Sequence, residues 1–170
     1  DGARLAYGLA APDTDVTLAD IARLADAFYI GGTKCGALCG EAVVFTHGNM
    51  PRQFETMVKR HGAMVAKGRL NAVQFTNNLY GEVGRVAIAA ADELRRILRE
   101  AGCTFFRESP TNQQFAVLEN AQVEALAERI RFSTWEKLGD GRTVIRLVTS
   151  WSTTPDDLAA LEAALHEVMQ

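Results

Sequence analysis

Phe28-Tyr29-Ile30-Gly31-Gly32-Thr33-Lys34-Cys35-Gly36-Ala37-Leu38-Cys39-Gly40-Glu41-Ala42-Val43-Val44-Phe45 is the stretch on which the fold turns. Ala27 to Ile30 is short and apolar and reads as a strand. Ala42 to Phe45 is apolar at consecutive rather than alternate positions, the pattern of a strand buried on both faces. A parallel crossover needs a dozen or more residues, so two strands this close are expected to be antiparallel neighbours. Glycines fill the turn between them, and Lys34 stands among those glycines. A lysine so placed is expected to be partly desolvated. Desolvation favours the neutral amine, which can form a Schiff base. A solvated turn lysine and a phosphate-binding lysine remain open on the segment alone, although the spacing of a P-loop is missing.

Upstream, Thr17 with Asp20 forms a capping-box start, and Leu18, Ile21, Ala22, Leu24 and Ala25 give that helix an apolar stripe. Downstream, helices are predicted from Pro51 to about Arg60, over Asn71 to Tyr80 and over Val83 to Ala101, with Gly102 as the C′ glycine. After Gly102 the pattern changes. Strands are predicted at Cys103–Phe106, Phe115–Leu118, Phe132–Lys137 and Thr143–Val148, with a helix over Ala121–Ile130. Thr154-Pro155-Asp156-Asp157 opens a last helix with a Thr N-cap, Pro at N1 and acids in the first turn. The second half therefore reads as a small, mostly antiparallel α+β unit. The boundary is placed at residues 83/84, inside the long helix. The first half holds two clear strands against a usual mean of about five or six per sheet, which predicts an incomplete layered domain. An opening at Asp1 rather than Met points the same way, to a fragment or a missing N-terminal portion.

Composition excludes other classes. The 170 residues carry 18 Lys+Arg against 21 Asp+Glu, a net charge of −3, so no surplus of positive charge exists for a nucleic-acid backbone. No apolar run approaches the about 20 residues of a membrane span, and no secretory leader is recognisable. Cys35, Cys39 and Cys103 are odd in number and fit a reducing compartment, and Cys35-x₃-Cys39 lacks further ligands for zinc, so no metal is expected. His47, His61 and His166 are scattered and none is a good base candidate.

Asp1-Gly2-Ala3-Arg4 adds the second element. A pyridoxal phosphate enzyme needs a carboxylate to keep the ring nitrogen protonated and a bidentate cation for its substrate's carboxylate. Asp1 and Arg4 could equally be a helix-capping pair. Asp-Gly-Ala-Arg-Leu-Ala at 1–6 together with Gly-Gly-Thr-Lys-Cys-Gly-Ala-Leu-Cys-Gly-Glu-Ala-Val-Val-Phe at 31–45 resembles the low-specificity threonine aldolases, of the β-eliminating-lyase group with the aspartate-aminotransferase-like fold. Ala-Lys-Gly-Arg-Leu at 66–70 and Ile-Arg-Leu-Val-Thr-Ser-Trp at 145–151 are similar as well. The resemblance covers the whole chain and only the C-terminal half of a family member.

The resemblance implies an α/β fold, with residues 1–83 as the C-terminal part of the α/β/α cofactor-binding large domain and 84–170 as the small α+β C-terminal domain. It implies pyridoxal 5′-phosphate, with Lys34 as the lysine that binds it covalently and Asp1 at its ring nitrogen. Thr33 stands beside the cofactor, Arg69 near its phosphate, and Arg4 and Arg146 at the substrate carboxylate. On pattern alone, Arg146 points away from Ile145 and Leu147 and shares a strand face with Val144 and Val148. The implied reaction is cleavage of a β-hydroxy-α-amino acid to glycine and an aldehyde, by a cytoplasmic homodimer or homotetramer that includes the missing N-terminal half. β-Elimination or transamination on the same scaffold is the alternative, as is an inactive fragment. Ser150-Trp151 departs from the His-Leu that many members carry after the Arg-Leu-Val-Thr run.

Overall fold

The computed structural model describes residues 1–76 and 79–169. They divide into two compact units: residues 1–9 with 14–84, and residues 10–13 with 85–170.

The first unit opens with α1 (Leu5–Ala10) and α2 (Leu18–Leu24). The Thr17 side chain accepts from the Asp20 N–H and the Asp20 carboxylate accepts from the Thr17 N–H, the reciprocal cap the sequence predicts. Hydrogen bonds from the Thr17 hydroxyl and N–H hold the Asp20 carboxyl below the usual carboxylate range. β1 (Ala27–Gly31) and β2 (Glu41–Phe45) pair antiparallel, with Ala27 opposite Phe45 and Gly31 opposite Glu41. They form a two-stranded ribbon. Two expectations fail here. Val43 is 54% exposed, and Leu24, on the α2 stripe, is 75% exposed. A buried-type pattern states what a strand or helix needs, and the described residues of this unit supply no layer over those faces.

Further along are α3 (Phe54–Arg60) and α4 (Arg69–Thr76). α3 starts later than the Pro51 expected, because Pro51 sits in a turn whose carbonyl accepts from the Phe54 N–H. α4 is shorter than expected, and residues 77 and 78 of the predicted Asn71–Tyr80 helix lie outside the described residues. Tyr80 belongs instead to α5 (Leu79–Glu100), a 22-residue helix that begins four residues before the predicted Val83.

α5 ends as the sequence demands. Gly102 takes φ 77°. The Cys103 N–H bonds the Leu98 carbonyl at 2.9 Å and the Gly102 N–H bonds the Arg99 carbonyl at 3.0 Å, a Schellman motif. The second unit continues through β3 (Thr104–Arg107), β4 (Gln113–Glu119), α6 (Asn120–Ala127), β5 (Ser133–Lys137), β6 (Arg142–Val148) and α7 (Pro155–Val168). α6 starts one residue before the predicted Ala121–Ile130 span and ends three residues short of it, at Ala127. The sheet is antiparallel throughout in the order β3-β4-β6-β5. Both outer strands are irregular, with register shifts between Phe105 and Arg107 in β3 and between Thr134 and Glu136 in β5.

Alternation along β4 and β6 sends Ala116, Leu118, Ile145 and Leu147 to one face. Leu94, Ile97 and Leu98 of α5, Leu126 of α6 and Leu158, Leu161 and Leu165 of α7 pack on it. Each such leucine or isoleucine, fully buried, is worth about 1.5–3 kcal/mol of transfer free energy. α7 is fixed at its start by the Thr154–Asp157 capping box with Pro155 in the first turn, and those hydrogen bonds hold the Asp157 carboxyl low.

Candidate active site

The ribbon carries Lys34 in a 3₁₀ turn, Thr33–Cys35, between its two strands. The turn is fastened from inside. The Cys35 and Ala37 N–H groups both donate to the Gly32 carbonyl, at 2.8 and 3.1 Å. The Tyr7 hydroxyl, on a side chain 1% exposed, donates to the Lys34 carbonyl. From the β2 side, Glu41 accepts from the Gly32 N–H at 3.1 Å and from the Thr33 hydroxyl at 3.4 Å. The backbone flanking Lys34 is thus held on both sides while its side chain is exposed. The expected burial of Lys34 is therefore absent among the described residues, because a two-stranded ribbon leaves its side chain open to water.

The Asp1 turn is locked onto β1 by two glycines. The Gly31 N–H donates to the Gly2 carbonyl at 2.8 Å. A Cβ on Gly2 would stand 1.6 Å from the Tyr29 carbonyl oxygen, and one on Gly31 would stand 2.5 Å from the Ala3 carbonyl oxygen. Only glycine permits this approach of two backbones. Asp1 Oδ1 accepts from the Ala3 N–H at 2.9 Å and from the Tyr29 hydroxyl at 2.7 Å. Asp1 thus closes its own turn, whereas α1 starts only at Leu5. The helix-capping alternative for the Asp1–Arg4 pair does not describe this geometry.

Asp1, Thr33 and Lys34 line one cleft of about 700 Å³, with Tyr29 and Glu41 on its wall. Tyr29 and Glu41 were not among the sequence candidates. Glu41 is recognisable only once its register opposite Gly31 is known, and Tyr29 only once Asp1 is seen folded back 28 positions. Arg4 is half-buried at the head of α1 and is not among the lining residues, and Arg69 is exposed at the start of α4. Cys35 is buried beneath the turn, and burial raises its thiol pKa; it also raises that of the neighbouring Tyr80 hydroxyl. A thiol so placed is a weak nucleophile at neutral pH. Among the described residues, no group of three or more His, Cys, Asp or Glu is arranged to hold a metal ion.

In the second unit, Arg146 projects from the sheet face opposite the core. It is half-buried, with its guanidinium 5.5 Å from the Trp135 ring centroid. Its Nη1 and Nη2 make long contacts of 3.4 and 3.5 Å with Gln113 Oε1 and Ser133 Oγ, and its buried Nε has no acceptor. Among the described residues it has no carboxylate partner. Val144 beside it is buried, whereas Val148 is 40% exposed, so only part of that face turns inward.

No protein-family model matches the chain. It is 27% identical over 150 residues to the low-specificity L-threonine aldolase of Pseudomonas aeruginosa, an alignment that covers 85% of this chain and 42% of that protein. A structure of Leishmania major threonine aldolase superposes with a TM-score of 0.92 at 37% identity, covering 100% of this chain and 51% of that one. Serine palmitoyltransferase from Sphingomonas wittichii, at 15% identity and a TM-score of 0.59 over 84% of this chain and 39% of its own, shares the fold alone. The chain spans about half the length of these proteins or less. Its mixed α/β fold is theirs, and along its whole length it is similar, in sequence and in structure, to about half of a threonine aldolase.

Proposed function

We propose that the chain is the lysine-bearing half of a pyridoxal phosphate-dependent lyase that cleaves β-hydroxy-α-amino acids, threonine among them, to glycine and an aldehyde. The observation that carries the reading is one cleft lined by Asp1, Thr33 and Lys34 in a chain 37% identical to a threonine aldolase of known structure. The donor set fits the cofactor: an accessible amine for its carbonyl carbon, and an Asp1 Oδ2 that has no hydrogen bond among the described residues for its ring N–H. When bound, pyridoxal phosphate accepts the electron pair left on Cα as Cα–Cβ breaks. Lys34 Nζ would be the group that anchors the cofactor. Asp1 holds the proton on the ring nitrogen. Thr33 and Arg69 belong to the cofactor's surroundings, and Arg4 and Arg146 bind the substrate carboxylate. Arg146 suits that role because its guanidinium is oriented over Trp135 yet lacks an anionic partner.

In this reading residues 1–83 are part of a cofactor-binding large domain and 84–170 are the small domain. The remainder of the large domain comes from a segment equivalent to the rest of the relatives. The enzyme works in the cytoplasm as a homo-oligomer.

Borohydride reduction of the holoenzyme followed by peptide mass spectrometry tests this. The pyridoxyl adduct is expected on Lys34, and Lys34→Ala is expected to lose both the adduct and at least roughly a thousandfold in turnover, since the covalent anchor of the cofactor is gone. An adduct elsewhere, or none, overturns the assignment. Keto acid and ammonia in place of glycine and an aldehyde would establish β-elimination on the same scaffold.

A further inference from the structure

We propose that Tyr29 is a positioning residue, setting which oxygen of Asp1 is presented to the cofactor's ring nitrogen; this rests on the function proposed above. Asp1 lines the cleft and is exposed, and its local support is a single N–H two residues away, that of Ala3. One such bond leaves a carboxylate free to rotate. The Tyr29 hydroxyl, 2.7 Å from the same oxygen, comes from β1 and ties the group to the ribbon that carries Lys34. Both donors converge on Oδ1, so Oδ2 is the acceptor left open.

Tyr29 is itself fixed. Its backbone pairs with Val43 in the β1–β2 ladder, and its carbonyl lies in the gap that Gly2 leaves by lacking a Cβ. The aspartate and the lysine are therefore held by the same ribbon, and the tyrosine hydroxyl is a side-chain link from it to Asp1. A hydrogen bond to a charged group, lost without a replacement, is worth about a factor of ten or more in an equilibrium that depends on that group's placement.

The test is a double-mutant cycle in the holoenzyme, read by titrating pyridoxal phosphate into the apoprotein and by steady-state kinetics. Tyr29→Phe is expected to weaken cofactor binding roughly tenfold. It should lower kcat by a similar factor, with the KM for threonine within about twofold of wild type. In an Asp1→Asn background the same change is expected to alter cofactor affinity by less than about twofold, because the group through which Tyr29 acts has already been disabled. Full additivity in that background, or an unaltered Tyr29→Phe, overturns the proposal. Should Tyr29→Phe not fold, 3-fluorotyrosine at position 29 retains ring and hydroxyl with a stronger donor and is expected to tighten cofactor binding about twofold; no change there overturns it equally. If the wild type carries no cofactor on Lys34, the proposed function falls and this role with it. If it does and Tyr29→Phe binds as wild type, only the Tyr29 role falls.

Discussion

In the second unit Leu94, Ile97, Leu98, Leu118, Leu126, Ile145 and Leu165 are 0–2% exposed, whereas in the first unit Leu24, Leu38 and Leu70 are 75, 92 and 69% exposed. The two units have similar kinds of sequence, with capped helices and apolar strands, and differ in whether the elements find a second layer. Four strands under three helices close a core; a two-stranded ribbon with short helices does not. The groups proposed to hold the cofactor lie in the unit without such a core. They are placed by backbone approach and polar contacts (Gly2 on β1, Glu41 on the lysine turn, Tyr29 on Asp1) rather than by hydrophobic packing.

That contrast can be broken by a core truncation. Ile145→Ala in the second unit should cost about 3 kcal/mol, since it removes a fully buried side chain from the core between the sheet and its helices. Leu24→Ala on the exposed stripe should stay within about 0.5 kcal/mol. Thermal melts of the two variants would compare them, and equal losses would refute the difference between the units.

A smaller effect should appear in alkali. Burial pushes the Cys103 thiol up from its ordinary value to about 11. An unfolded thiol then ionises before the folded one. The associated stability is present below pH 9 and is lost as the pH rises toward 11, by up to roughly 2 kcal/mol after allowing for partial solvent screening. Cys103→Ala should flatten that limb of the pH–stability curve; an unchanged slope would show that the thiol is not the group responsible.

The smallest is Gly102→Ala. A Cβ there meets nothing within 4 Å, so its cost is the left-handed backbone alone, about 1 kcal/mol. A larger loss in chemical denaturation would mean that α5 depends on its terminus for more than the Schellman bonds.

These same features mark what was legible in the sequence. Caps are local chemistry, so Thr17 with Asp20, Thr154 to Asp157 and Gly102 announced their helix ends correctly. Pro51 misled because a proline turn and a helical first turn share the same φ, and the chain takes three more residues to enter α3. α5 starts before Val83 because Gly81, a weak helix former, is carried by the rest of a 22-residue helix. Lys34 among its glycines and Asp1 beside Arg4 stand out in the sequence, and the structure brings Lys34 and Asp1 to one cleft. Their supports were not: the Glu41 contacts depend on strand register and the Tyr29 contact on a turn closing from the far end of the unit.

The irregular outer strands of the second unit have a consequence for how the protein behaves when concentrated. An exposed sheet edge offers a row of unpaired N–H and C=O groups on which another copy can add a strand, and a long flat edge is an aggregation site. Here β3 is four residues long with its register shift inside it, and β5 combines a shift with Glu136 and Lys137. A bulge twists a strand away from straight pairing, and charge on the strand penalises a neighbour. Edge-to-edge polymerisation of this sheet is therefore blocked at both ends. Precipitation during refolding from denaturant should begin at the bare leucines of the first unit, and surface charge introduced at Leu38 or Leu70 should suppress it more than any change to β3 or β5.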